Sequence, residues 1–250
     1  MSGHNRWTKI KRKKEAMGAT KGKLFNKIIK ELTVAARLGG GDPAGNARLR
    51  AVMDAAKEAN MPSDSIQRAI KKGTGELEGG VIEEIRYEGY GPAGVAIIVE
   101  CLTDNRARTA AEVRAAFSKG GGNLAAEHAV SWMFHRKGSI AVKAGPTEDK
   151  VMEAAIEAGA EDVIDHGADG FDVRTEPGAL HSVAAALQTA GLKLGEQKWI
   201  YVPESTIHLD GDGARKVLRL VELLEDSDDV QHVHANFEID DALMEQLAAG

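Results

Sequence analysis

Apolar residues recur at helical spacing through Leu24, Phe25, Ile28, Ile29, Leu32, Ala35 and Ala36. That spacing predicts an amphipathic helix with one core side. Lys23, Lys27 and Lys30 fall largely outside the stripe, so the other side is cationic. The helix ends at Gly39, Gly40 and Gly41, where the chain can turn without Cβ strain. Asp42 followed by Pro43 predicts an N-cap with proline at the first helical position. A second helix is expected through Leu49, Val52, Met53, Ala56 and Ala59, and a third over 63–72, with Gly73 and Gly75 closing the lobe.

The pattern changes at Val81. The stretch VIEEIRYEGYGPAGVAIIVECL reads as a hairpin, two strands joined by a Gly/Pro turn. Thr103 or Asp104 is the expected cap of the helix NRARTAAEVRAAFSKG, and a strand is expected over 130–135. From Ser139 to Trp199 the order is strand, helix, strand, strand, helix, strand, which predicts a ferredoxin-like sandwich. The tail gives a strand STIHLD, a helix over 212–226, a strand VQHVHANFEI and a short last helix. Neither flank closes a stable sheet alone, so the 139–199 lobe is expected as an insertion in a discontinuous middle domain. The expected domains are 1–76, 77–136 with 203–250, and 137–202.

Charge sharpens this picture. Residues 4–30 hold ten Lys and Arg against one acid, Glu15, a net of +9 in a chain of net charge -6. Residues 1–72 carry 17 basic and 6 acidic residues, +11, leaving 15 basic and 32 acidic residues, -17, for the remainder. Such segregation points to a polyanionic partner for the basic end. The candidate nucleic-acid-binding residues are Arg6, Trp7, Lys9, Lys11, Arg12, Lys13, Lys14, Lys21, Lys23, Lys27 and Lys30. Arg106, Arg108 and Arg114 make a second cationic helix, read equally well as a surface face of mixed charge. One cysteine, Cys101, in an apolar run excludes an internal disulfide and reads as a small buried hydrophobe. No apolar run reaches a membrane span and no secretory h-region follows the basic start, so a cytoplasmic protein is expected.

Candidate chemistry fails on spacing. Gly89, Gly91 and Gly94 match G-x-G-x-x-G, but Pro92 and the β-branched run that follows describe a hairpin turn, not a pyrophosphate-binding helix start. His232 and His234 share one strand face without the further ligands that a metal needs, and an exposed strand face is expected. Asp210, Asp212 and Gly213 imitate a calcium loop, yet its twelfth position is Val221. Glu225, Asp226, Asp228 and Asp229 read as a solvated helix end. The expectation is no catalytic residue, no cofactor and no metal.

The runs SGHNRW, KGKLFNKIIKELTVAARLGGGDP, ANMPSDSIQRAIKKGTGE, YEGYGPAGVAIIVECLTDNRARTAAEVRAAFSKGGGNL and SWMF resemble the YebC/PmpR family over nearly the whole chain. The resemblance implies an α+β fold: a basic helical N-terminal domain plus two α/β, ferredoxin-like domains, the third inserted into the second. It also implies a cytoplasmic, non-enzymatic protein, since members are named probable transcriptional regulatory proteins and mitochondrial relatives are translational activators. Met17 to Thr20 stand where a longer basic, glutamine-containing helix is usual, and Asn5 and Arg6 where Ser and Lys are usual. Three partner readings follow: a DNA-binding transcriptional regulator, a ribosome- or RNA-associated translation factor, and a protein adaptor using the acidic lobes. Trp7 beside Arg6 and Lys9 suits stacking on an unpaired base, or equally an anchor for the first helix.

Overall fold

The computed structural model describes residues 21–249. Arg6, Trp7, Lys9, Lys11, Arg12, Lys13 and Lys14 therefore lie outside the described residues. The chain divides into two compact units, His135–Val202 and the segments Met1–Phe134 with Pro203–Gly250.

Three helices come first: α1 (Lys21–Gly39), α2 (Ala47–Glu58) and α3 (Ser63–Thr74). The predicted stripe is their common core, where Ile28, Leu32, Ala35 and Ala36 meet Leu49, Ala56, Ile66, Ala69 and Ile70. Gly73 lies inside α3 instead of ending it, because a Cβ there would run into the Thr33 carbonyl oxygen of α1. The cap at Gly75 is left-handed, φ +82°.

Asp42 does not cap α2. Its carboxylate accepts from the Ala44 amide in a tight turn, and Asn46 takes the N-cap by accepting from the Leu49 amide at 3.0 Å. Asn46 wins because its Nδ2 also donates to the carbonyls of Ala35 and Gly40, both at 2.8 Å, locking the end of α1 to the start of α2.

The hairpin forms as β1 (Glu83–Tyr90) and β2 (Ala96–Thr103), antiparallel with Tyr87 opposite Val99. Helix α4 (Arg106–Lys119) is capped by Asn105, not by Thr103 or Asp104. The Thr103 hydroxyl is engaged elsewhere, as described below.

β3 (Asn123–Leu124) and β9 (Val230–Ala235), the latter following helix α7 (Gly211–Glu225), complete this unit's main sheet, in the order β3-β1-β2-β9 with antiparallel neighbours. Helices α4 and α7 cover one face, burying Val95, Ile97, Val99, Phe117, Leu220 and Val233 among others.

STIHLD contributes only β8 (Ile207–His208), which pairs in parallel with β10 (Phe237–Glu238) away from the main sheet. The expected long strand VQHVHANFEI is interrupted at Asn236, whose side-chain oxygen accepts from the Ala96 amide at 2.7 Å. Helix α8 (Asp241–Ala249) ends the described chain.

The other unit holds most of β4 (Phe134–Val142), then α5 (Glu148–Glu157), β5 (Asp162–Asp165), β6 (Phe171–Thr175), α6 (Leu180–Thr189) and β7 (Leu194–Pro203). Its sheet order, β5-β6-β4-β7, is that of a ferredoxin-like sandwich, with Ile140, Val173, Val151 and Leu187 in its core. The two short strands expected around 130–144 are one strand. Gly138 lets β4 approach the Thr175 hydroxyl of β6 more closely than a Cβ would allow.

Candidate nucleic-acid interface

Lys23, Lys27 and Lys30 project from one side of α1, as the spacing requires for residues three and four apart. The structure brings all three to the end of α7. Lys23 Nζ donates to the Asp226 carboxylate at 2.5 Å and to the Asp226 carbonyl at 3.1 Å. Lys27 Nζ donates to the Glu225 carbonyl at 2.9 Å. Lys30 Nζ donates to the Asp228 carbonyl at 2.9 Å and to Asp229 Oδ1 at 2.5 Å. Lys21 is exposed.

The last carbonyls of a helix have no partner within it and carry the negative end of its dipole. The α7 carbonyls at Glu225 and Asp226 are satisfied by ammonium groups of α1. The acidic cluster is thus not a solvated helix end. Asp226 and Asp228 are exposed, but Asp229 is only 3% exposed and stands at the centre of a network. Its carboxylate accepts from Lys30, from Arg108 Nη2 at 2.8 Å, from Thr109 Oγ1 at 2.7 Å and from Thr103 Oγ1 at 3.2 Å.

Burial alone would push the Asp229 carboxyl up. The hydrogen bonds from Lys30, Arg108 and Thr109 outweigh it and bring the pKa down to about 2. These donors reach Asp229 from α1, β2 and α4, so one carboxylate ties together segments up to 199 residues apart. A cleft of 620 Å³ opens beside it, with Lys23, Lys30, Arg108, Asp226 and Asp228 in its lining. Of the second cationic helix, Arg108 is held by Asp229 and Asp104, while Arg106 and Arg114 are exposed. The sequence signal for the junction was the opposite charge of its two ends, but apolar periodicity does not pair them.

A second feature is aromatic. Trp132 is 67% exposed, and its Nε1 donates to the Ala129 carbonyl at 3.1 Å, leaving the ring face open. The loop beneath is fixed by Glu88, 1% exposed, whose Oε2 accepts from the Val130 and Ser131 amides, both at 2.9 Å. Burial raises the Glu88 carboxyl, but those amides dominate and leave it below the ordinary carboxylate value. Tyr90 adds a bond from its hydroxyl to the Ala129 carbonyl at 3.1 Å. Sequence reading passed over this loop because its anchors are on β1, some forty residues earlier.

Cys101 is buried, and burial pushes its thiol up to about 12, so it is no thiolate at neutral pH. His234 is not exposed as expected. It is 6% exposed and its Nε2 lies 3.0 Å from Glu100 Oε2. Asp210 caps α7, accepting from the Gly213 amide at 2.8 Å. Among the described residues no group of three or more His, Cys, Asp or Glu is arranged to hold a metal ion, and no helix is long and apolar enough to cross a membrane.

The comparisons with known proteins cover almost all of the chain. The family described as "TACO1/YebC protein N-terminal domain" matches residues 5–76, and "TACO1/YebC second and third domain" matches residues 82–237. A "Probable transcriptional regulatory protein" of Myxococcus xanthus is 63% identical over 247 residues, covering 99% of each chain. A relative of the same description from Geobacter sulfurreducens is 53% identical over 99% of this chain and 100% of its own. A crystal structure of a conserved hypothetical protein from Aquifex aeolicus superposes with a TM-score of 0.83 at 49% identity, over 89% of this chain and 92% of that one. The chain belongs to the TACO1/YebC family.

Proposed function

We propose that this chain is a non-enzymatic, cytoplasmic regulator of three domains, binding DNA through its basic N-terminal arm in transcriptional regulation. The observation that carries the reading is charge segregation: +9 within residues 4–30 against -6 for the whole chain. A dense set of Lys and Arg with a single acid among them suits the phosphate backbone, where each neutralised phosphate releases counterions. Such side chains position a protein on a duplex without reading bases. The names of the relatives, probable transcriptional regulatory proteins, support the regulatory part. The test is binding of the full chain to mixed duplexes across a salt series. Steep salt dependence with little sequence preference is the expected result, and absence of binding at low salt would end the reading.

A translation factor bound to RNA or to the ribosome is the second reading, and Trp132 favours it. An exposed aromatic face on a fixed loop suits stacking on an unpaired base. If single-stranded RNA is the partner, Trp132→Ala should weaken RNA binding by about tenfold and leave duplex DNA binding unchanged. Ribosome co-sedimentation beside the DNA series separates the two.

A further inference from the structure

We propose that the acidic turn at the end of α7 is an internal competitor for nucleic-acid phosphates, holding Lys23, Lys27 and Lys30 until a polyanion displaces it. The inference rests on the nucleic-acid reading above and adds a restraint on it. Those three lysines belong to the cationic run that begins in the arm, yet each is taken up within the chain by a carboxylate or a helix-end carbonyl. A carboxylate and an orphan carbonyl offer an ammonium what a phosphate oxygen offers: a negative acceptor at hydrogen-bond distance.

The contact has a firm root and a soft edge. Asp229 is buried and bound by Arg108 and Thr109 as well as Lys30, so it stays in place when one lysine leaves. Asp226 is different. Its side chain is 75% exposed and that of Lys23 is 40% exposed, so water replaces either partner at little cost. Asp228 is also exposed and meets α1 by a long bond from Asn26 Nδ2, 3.4 Å. Exchange is therefore easy at Lys23, harder at Lys27 and hardest at Lys30. A phosphate backbone approaching the arm would take the α1 lysines in that order. The acidic turn lowers affinity for any weakly held polyanion and so raises the threshold for binding.

The test compares three full-length proteins on a mixed-sequence DNA duplex and on a single-stranded RNA across a salt series. They are the wild type, D226N/D228N, and a control, E153Q/E157Q, which removes the same charge from the exposed side of α5. Both substitutions in the test variant are near-isosteric and spare Asp229, and an unchanged unfolding midpoint checks the fold. The expected result is a rise in affinity of about three- to tenfold for D226N/D228N at low salt. Its log-log salt slope should steepen by about 1, as the freed Lys23 adds a phosphate contact. The control should shift affinity less than about twofold, because remote charges are screened. An equal rise in both variants would show a net-charge effect and overturn the proposal. Unchanged or weaker binding of D226N/D228N would overturn it too, while leaving the nucleic-acid reading intact. If none of the three proteins binds either probe, the nucleic-acid reading fails and this inference falls with it.

Discussion

Each unit of the molecule buries an aspartate against a base, and the two do so differently. In the unit His135–Val202, Asp172 sits two residues from its partner Arg174 on β6, with a 2.7 Å contact, and accepts from Ser139 Oγ on the neighbouring strand at 2.7 Å. Both charges are nearly closed to water, 7% and 8% exposed. In the other unit, Asp229 gathers donors from three distant elements, and two of them, Lys30 and Arg108, keep partial access to water. The first pair is closed and local. The second is a junction with an open rim. A closed pair can only hold a fold together, whereas a junction whose rim exchanges with water can also respond to a ligand.

The largest expected effect breaks the closed pair. Asp172→Ala strands Arg174, which cannot rehydrate, and should destabilise that unit by about 3 kcal/mol. Nucleic-acid binding should be untouched. Asp229→Ala should cost less, about 2 kcal/mol, because Arg108 keeps Asp104 and Lys30 keeps the Asp228 carbonyl. Chemical denaturation of each variant measures both values. A larger loss at Asp229 than at Asp172 would reverse the comparison.

The scaffold beneath the lysines comes next. Gly73→Ala gains about 1 kcal/mol of helix propensity, but its Cβ meets a backbone carbonyl that cannot swing aside. Overpacking of that kind costs about 2 kcal/mol, so a net loss of about 1 kcal/mol is expected, read as a lower denaturant midpoint. If the variant is more stable than wild type, the α1–α3 crossing is looser than described.

A further effect is in acid. The Asp229 carboxyl lies below its ordinary value of 3.8, at about 2 in the folded chain. Its stabilisation is therefore complete above the ordinary value and is lost as pH falls through 3.8 towards 2. The stability gap between wild type and Asp229→Ala should be constant near neutrality and close below about pH 4. A gap that stays open in acid would mean that charge is not what Asp229 contributes.

The helices, the hairpin and the βαββαβ order were legible because each buries an apolar face with a period that local sequence carries. Their ends were less so. Asn46 and Asn105 took caps expected at Asp42 and at Thr103 or Asp104, and in both cases a distant partner decided it. Asn46 was drawn to the end of α1, and the Thr103 hydroxyl was committed to the Asp229 network. Glycine misled at Gly73, where a missing side chain served close packing and not a turn. The lysines of α1 were identified as a cationic side, yet nothing in their spacing reveals that the acidic turn some 200 residues later meets them. Long-range charge pairing has no period to read.

The central claim, that the basic arm binds the phosphate backbone, is tested most directly by the salt slope of one variant. If roughly 5 to 7 of the ten cations of residues 4–30 reach phosphates, the wild-type log-log slope on duplex DNA should be about -4 to -6. Changing Lys11, Arg12, Lys13 and Lys14 together to Gln should flatten it by roughly 3 to 4 and weaken binding evenly across sequences. A quadruple variant with unchanged affinity and slope would contradict the account and put the protein-adaptor reading in its place.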